Sequence, residues 1–255
     1  MDIIVACAFH NKPIFDKLCS LSLDIYGEAL TPGASGGDIG IFTSQSVALE
    51  GGSDGMQVAI SGYHSSTKEQ VTSVVGHALD AAPNDLNEQV SIGGVHGLIA
   101  VRANQLVAWP SIPASGTIYY AMTEAGLVMC NRPKILARLI DADIDPKYLS
   151  YLITTGYPID DTTPYVGVKS LLAGYALHVD HGQCHVVRRR LATAGSTPRE
   201  PLAKREAEDV FQRELVRACS VVSRFENVEL RLSGGKDSRL IISALYAGNQ
   251  KTICH

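Results

Sequence analysis

The sequence predicts an α+β fold in two parts, and three observations carry that reading. Short runs rich in β-branched residues recur in pairs joined by polar turns, as in GVHGLIAVRANQLVAWP (94–110) and TIYYAMTEAGLVMCN (117–131). Amphipathic stretches, apolar at three- and four-residue spacing, alternate with them. After residue 188 the character changes, and a charged helical stretch, a short strand and a Gly-rich turn follow. The first part therefore reads as paired antiparallel strands with helices on their faces.

DIIVACAF (2–9) has the length and β-branched content of a strand. DKLCSLSLDIYGEAL (16–30) is patterned as an amphipathic helix. TPGASGGDIG (31–40) is rich in Gly, Pro and Ser and reads as loop. SQSVALEG (44–51) and MQVAISGYH (56–64) read as two further strands. STKEQVTSVVGHALDAAP (66–83) reads as a helix, with Ser65 or Ser66 as N-cap and Pro83 beyond its end. LIAV and LVAW, then IYYAM and LVMC, form the arms of two hairpins. PKILARLI (133–140) begins a helix, with Pro133 tolerated in its first turn. Residues 188–203, RRRLATAGSTPREPLA, have linker composition. LAKREAEDVFQRELVRACSVVSRF (202–225) then has helical periodicity, with Val210, Leu215, Ala218, Val221, Val222 and Phe225 on one face. VELRLS reads as a strand, SGGKDS as a turn, RLIISALYAG as a helix closed by Gly248, and KTICH as the start of a further strand. The boundaries drawn are a first domain over 1–190, a linker over 191–203 and a second segment over 204–255.

The 255 residues are 45% hydrophobic and 19% charged, which suits an ordinary globular chain. A net charge of −4 supplies no basic field for nucleic acid or anionic lipid. No apolar run approaches the roughly 18 residues of a membrane span, and the N-terminus lacks a basic leader. The six cysteines form neither a CxxC pair nor a compact disulfide frame, so they read as reduced thiols of a cytoplasmic chain.

Chemistry concentrates in Ser233–Gly234–Gly235–Lys236–Asp237–Ser238. A strand, a Gly-rich turn and a helix in that order aim backbone N–H groups and the positive end of a helix dipole at one point. Gly234 and Gly235 permit positive φ and close approach of a phosphate. Ser233 and Ser238 can donate hydroxyl hydrogen bonds, and Lys236 adds positive charge. Asp237 would repel a bare phosphate, so it makes most sense as a Mg²⁺ ligand beside one. The spacing is not that of GxxxxGK[ST]. The competing reading is a tight Gly-Gly connection, with Asp237 as an ordinary charge at a helix N-terminus.

SGGKDS resembles the SGGxDS pyrophosphate loop of the asparagine synthetases and their relatives, which include β-lactam synthetase and the lasso-peptide cyclases. YLITTGYPIDDTTPYVGVKSLLAGYAL (151–177) resembles that family's YLxxGY helix followed by TPYxGVxxLxxGxxL, and TIYYAMTEAGLVMCNRPKILARLI (117–140) is similar to its PLYYA…GLLFASExKALL stretch. Three matches in family order span 117–245; residues 1–116 fit in outline only. The resemblance implies an αββα sandwich of the class II glutamine-amidotransferase type, followed by an ATP-pyrophosphatase domain with a parallel sheet. It implies ATP and Mg²⁺ as cofactors and an ATP-dependent, amide-forming ligase. ATP adenylates a small-molecule or peptide carboxylate, and an amine then attacks the acyl-adenylate. Leu232 would face the adenosine, Ser233, Gly234, Gly235, Lys236 and Ser238 the pyrophosphate, and Asp237 the metal.

The sequence departs from the family twice. The family's glutaminases expose a cysteine in place of the initiator Met, whereas residue 2 here is Asp2. Cys7 is the one nearby thiol, and only processing after Ala6 would expose it. No RGPD-like segment is present, NGEIYN is answered by ISGYHS with Gly62 and Tyr63, and the Asp of FDGxFA falls at Gly93. The first domain is therefore expected not to hydrolyse glutamine, and no catalytic residue is assigned in it. The second departure is that the pyrophosphatase part holds an entry helix, one strand, the loop and one helix. A truncated copy, a split enzyme completed by a second polypeptide and a partial record all meet this pattern, and a non-catalytic remnant or interaction subunit is the rival reading. Among the other candidates, His178, His181 and His185 with Asp180 and Cys184 read as solvent-facing hairpin residues rather than metal ligands. Arg188–Arg190 read as a solvated linker edge, Asp160 and Asp161 as turn residues, and Trp109 as core.

Overall fold

The computed structural model describes residues 2–8, 12–36, 39–52, 54–82, 87–88, 92–112, 116–124, 126–191, 202–224, 228–250 and 252–254. The chain divides into two compact units, Met1–Ala192 and Thr193–His255. In the first unit the order is β1 (Ile4–Ala8), α1 (Lys12–Tyr26), β2 (Leu30–Gly36), β3 (Ile39–Ser44), β4 (Leu49–Gly51), β5 (Gln57–His64), α2 (Lys68–Asp80), β6 (Asn87–Glu88), β7 (Gly94–Arg102), β8 (Gln105–Pro110), β9 (Tyr119–Thr123) and β10 (Gly126–Cys130). It continues with α3 (Pro133–Leu139), α4 (Pro146–Thr155), β11 (Lys169–Ser170), β12 (Tyr175–Asp180), β13 (Gln183–Arg188) and β14 (Arg190–Leu191).

Two six-stranded antiparallel sheets form, in the orders β11-β9-β10-β1-β3-β2 and β13-β12-β8-β7-β5-β4. Alternation along the strands decides what each face buries. Ile4, Ile41 and Met129 of the first sheet meet Ile99, Leu106 and Leu177 of the second in one core. Ile3, Val5 and Val128 point the other way and pack on Leu18 of α1 and Ile135 and Leu136 of α3. Val58, Leu98 and Val107, on the outer face of the second sheet, pack on Val71, Val75 and Leu79 of α2. The result is an α+β sandwich with two antiparallel sheets between helical layers. Burying each such aliphatic side chain stabilises the fold by about 1.5–3 kcal/mol.

Local chemistry explains the boundaries, and several differ from expectation: the strand expected over 44–51 is paired only at Leu49–Gly51, and α1 runs Lys12–Tyr26 rather than 16–30. The N-cap of α2 is Thr67, not Ser65 or Ser66. The Thr67 hydroxyl accepts from Gln70 N at 3.3 Å, and Gln70 Oε1 accepts from Thr67 N at 2.9 Å, so the T-x-x-Q spacing closes a capping box. Residues 31–36 are strand rather than loop. β2 is an edge strand, its pairing with β3 shifts register between Pro32 and Ser35, and edges and bulges are where Pro and Gly are tolerated. Pro83 lies outside the described residues. The β7–β8 hairpin turns at Ala103, which takes φ +50°. α4 begins at an Asp145 cap that accepts from Lys147 N at 2.8 Å, and it stops at Gly156, φ +80°.

The second unit contains α5 (Lys204–Cys219), a 3₁₀ turn (Ser220–Arg224), β15 (Glu229–Leu230), α6 (Lys236–Ala247) and β16 (Ile253–Cys254). β15 and β16 pair in parallel, with Glu229 opposite Ile253. The helix expected over 202–225 is α-helical only to Cys219. Its half-buried side includes Val210, Leu215, Val216 and Cys219, while Ala218 is exposed and Phe225 lies outside the described residues. α5 packs on α6, which buries Ala244 and Leu245. The strand expected over 228–233 is paired only at Glu229 and Leu230. Among the described residues no helix is long and apolar enough to cross a membrane.

Candidate functional site

Among the described residues two candidates stand out, one in each unit. In the first, a cleft of about 510 Å³ opens at one end of the sandwich, lined by Asp2, Ser61, Gly62, Thr117, Tyr119 and Arg132 among others. Asn131, at the end of β10, locks the start of the chain there. Its Oδ1 accepts from Ile4 N at 3.0 Å and its Nδ2 donates to the Asp2 carbonyl at 2.9 Å. The Arg132 guanidinium donates to the same carbonyl at 3.0 Å. Gly62 N donates to Asp2 Oδ2 at 3.3 Å. Gly62 has φ +92°, and a Cβ there would run into the Val95 carbonyl oxygen, so only glycine brings this amide so close to β7. Burial pushes the Tyr119 phenol upward.

Among the described residues the cleft is thus lined by a carboxylate and a guanidinium, the Gly62 amide is taken up by that carboxylate, and no lining residue carries a thiol. Cys7 is 3% exposed, inside β1, which pairs with β3 and β10 on either side. Burial, aided by Cys130, pushes its thiol up to about 12, so it is protonated at neutral pH. Gly93, just before β7, supplies no side chain to the cleft. Asn131 and Arg132 were not singled out from the sequence. They follow an apolar strand directly, and only the return of β1 beside β10 brings them to Asp2.

In the second unit the loop residues stand together at the start of α6. Gly235 is the N-cap and makes no side-chain cap, so the first-turn N–H groups of Lys236, Asp237 and Ser238 have no capping side chain. Ser233 Oγ and Ser238 Oγ lie 3.4 Å apart, and Gly235 N points at Ser233 Oγ at 3.4 Å. Gly234 has φ +73°, as a left-handed turn requires. Gly235 does not; its φ is −74°, so its role in the loop is the absence of a side chain rather than the backbone freedom expected from the sequence. Asp237 lies in the first helical turn, where the dipole favours its charge. Leu232 is 42% exposed, and Ser233 to Asp237 are exposed.

The remaining candidates separate. Among the described residues no three His, Cys, Asp or Glu side chains stand together to hold a metal. His178 is not solvent-facing: it is 1% exposed, on the face of β12 that also buries Ala176. Arg189 is not a solvated edge either. It continues the inward alternation after Val187, is 7% exposed, and lies 4.7 Å over the Trp109 ring. Trp109 is core, at 2% exposed. Asp161 pairs with Lys169 at 3.0 Å and accepts Ser170 N, and Asp160 takes φ +57°, so both serve a turn. The linker positions 192–201 lie outside the described residues.

No family model matches the chain, and no curated protein matches it. Solved structures do. One is glutamine phosphoribosylpyrophosphate (PRPP) amidotransferase from B. subtilis complexed with ADP and GMP, at 9% identity and a TM-score of 0.44. A second, described as the allosteric regulatory enzyme of purine biosynthesis, gives the same 9% and 0.44. In both the match covers 100% of this chain and 65% of the other, so the chain spans about two-thirds of the length of the structures it matches.

Proposed function

We propose that the chain is part of an asparagine-synthetase-like, ATP-dependent ligase that forms an amide through an adenylated carboxylate, with a first domain of the class II amidotransferase type that does not hydrolyse glutamine. The observation that carries this reading is the loop at the start of α6, where two serine hydroxyls 3.4 Å apart, an αL glycine and three helix-start N–H groups without a capping side chain converge. That is a set of donors suited to a pyrophosphate. Two further motif matches, in family order, support it.

In this reading Ser233, Gly234, Gly235 and Ser238 hold the pyrophosphate, with Lys236 adding charge and the main chain of Leu232 facing adenosine. Asp237 would hold Mg²⁺, which neutralises charge on the leaving pyrophosphate. A carboxylate oxygen of the acceptor attacks the α-phosphorus of ATP and pyrophosphate leaves. An amine then attacks the acyl carbon, and AMP leaves. In this reading the second unit supplies the loop side of a nucleotide site. A carboxylate at residue 2 and a thiol at residue 7 that is buried and protonated both argue against ammonia from glutamine, so the amine comes with the substrate.

The test is exchange of labelled pyrophosphate into ATP, with Mg²⁺ and a panel of small and peptide carboxylates, using the full natural polypeptide or this chain with its complementing partner. Exchange that disappears in Asp237→Asn supports the ligase. Silence across the panel, with nucleotide binding also absent, overturns it in favour of a non-catalytic interaction subunit.

A further inference from the structure

The cleft of the first unit carries two opposite charges that do not cancel each other. Its volume, about 510 Å³, lies in the range of small-molecule pockets. Residue 2 enters it with two different groups. On the side of the first sheet, its main-chain carbonyl takes the Arg132 guanidinium at 3.0 Å and the Asn131 side-chain amide at 2.9 Å. Its carboxylate reaches instead to the second sheet, where Oδ2 accepts from Gly62 N at 3.3 Å. The guanidinium is thus held by the main chain of Asp2 and not by its side chain, and the two side chains form no ion pair.

Both groups keep unused capacity. An arginine side chain carries several N–H donors, and the Asp2 carbonyl uses one of them. Nε is buried without an acceptor, and among the described residues no carboxylate pairs with this guanidinium. Asp2 Oδ1 accepts no hydrogen bond from a described residue. The other lining residues are uncharged, with Ser61 and Tyr119 bringing hydroxyls. Burial pushes the Tyr119 phenol up, and the Arg132 charge is among the groups that oppose the rise, so the field of the guanidinium extends along the cleft wall. A partly enclosed charge without a counter-charge is costly, and the lowered dielectric strengthens whatever does pair with it. A simple anion gains from Arg132 and is repelled by Asp2, and a simple cation meets the reverse. A ligand with both charges gains twice.

We propose that this cleft binds one free α-amino acid as a zwitterion, with its carboxylate on the Arg132 guanidinium and its ammonium on Asp2. The carboxylate accepts from the unused Nη N–H groups, and the ammonium donates to Asp2 Oδ1. This pose turns an amine, and not a side-chain amide, toward residue 2, so it is a binding pose and not that of a glutaminase substrate. The inference does not rest on the ligase reading of the second unit, and amino-acid binding and pyrophosphate exchange fail independently of each other.

The experiment is an NMR titration of the isotope-labelled full chain with the free α-amino acids, one at a time, up to about 10 mM at neutral pH and constant ionic strength. It is read on the Gly62 amide and the Arg132 Nε–H. The expected result is saturable movement of both with at least one amino acid, while the Gly235 amide of the second unit stays still. Acetate and methylammonium, each carrying one of the two charges, should bind at least about tenfold more weakly. Asp2→Asn keeps an oxygen for Gly62 N and removes the charge, so it should weaken amino-acid binding about tenfold and strengthen acetate binding. A plain anion site behaves differently: acetate binds as well as any amino acid, and Asp2→Asn strengthens both. That outcome overturns the proposal, as does a Gly62 amide unmoved by every amino acid. If Asp2→Asn fails to fold, the wild-type comparison of amino acids with acetate and methylammonium decides alone.

Discussion

Asp2 and Gly62 are 60 residues apart in sequence and joined by a hydrogen bond, in which the Gly62 amide donates to Asp2 Oδ2 at 3.3 Å. That bond puts a carboxylate where the family resemblance asks for a thiol, and it satisfies the amide with an internal oxygen. The chain should therefore release no ammonia from glutamine above background in a coupled glutamate assay. Native alkylation followed by mass mapping should label the exposed Cys184 and spare Cys7 and Cys130. Both buried thiols are pushed up to about 12, which leaves about one part in ten thousand as thiolate at pH 8. Rapid native labelling of Cys7, or glutaminase activity lost on that labelling, would contradict this picture.

Gly62 itself is a fixed point. Its φ of +92° and the Val95 carbonyl beside its missing Cβ leave no relaxed alanine conformation. Gly62→Ala should cost more than about 2 kcal/mol in urea unfolding. By contrast Gly76, on α2, has open space around its missing Cβ, so Gly76→Ala should stabilise by about 0.5–1 kcal/mol.

The loop at α6 can be dissected with its two glycines. Gly234→Ala forces a Cβ into the left-handed region and should cost about 1–2 kcal/mol in the second unit. Gly235→Ala meets no backbone obstacle; its Cβ would sit 3.3 Å from Ser233 Oγ. It should therefore change stability by under about 1 kcal/mol yet reduce pyrophosphate exchange by about tenfold or more, because the Cβ stands where the phosphate approaches. Equal effects of Gly235→Ala on folding and exchange would return the loop to a plain connection.

The elements legible in the sequence were those fixed by local pattern. The LIAV/LVAW and IYYAM/LVMC hairpins, α2 and α3 all lie where alternation or three-and-four spacing put them. β2 was not legible, because its Gly and Pro content describes a loop and only pairing with β3 makes it an edge strand. The buried polar residues Arg189, Ser111 and His96 show the same limit more sharply. They come from three separate stretches of the chain, and nothing local distinguishes Arg189 from Arg188 beside it. Register decides, since one residue of slip sends a side chain to the other face. Arg132 is similar: its meeting with the Asp2 carbonyl depends on β1 and β10 lying side by side.

His96 makes the last expectation quantitative. Its pKa is about 4 in the fold and 6.5 in the ordinary imidazole, lowered first by burial and then by His64 and Arg189. The unfolded chain thus binds a proton that the folded chain refuses between those values. Stability is fully present above pH 6.5 and falls as pH drops toward 4, with a limiting slope of about 1.4 kcal/mol per pH unit and a total of about 3 kcal/mol. His178, lowered by the same cause, acts with the same sign. Carboxylates also titrate at the lower end, so the informative quantity is the difference between wild type and His96→Gln across pH 7 to 4, measured by urea unfolding at fixed ionic strength. The variant should lose less stability than wild type on acidification, and parallel curves would mean that His96 is not a buried neutral imidazole.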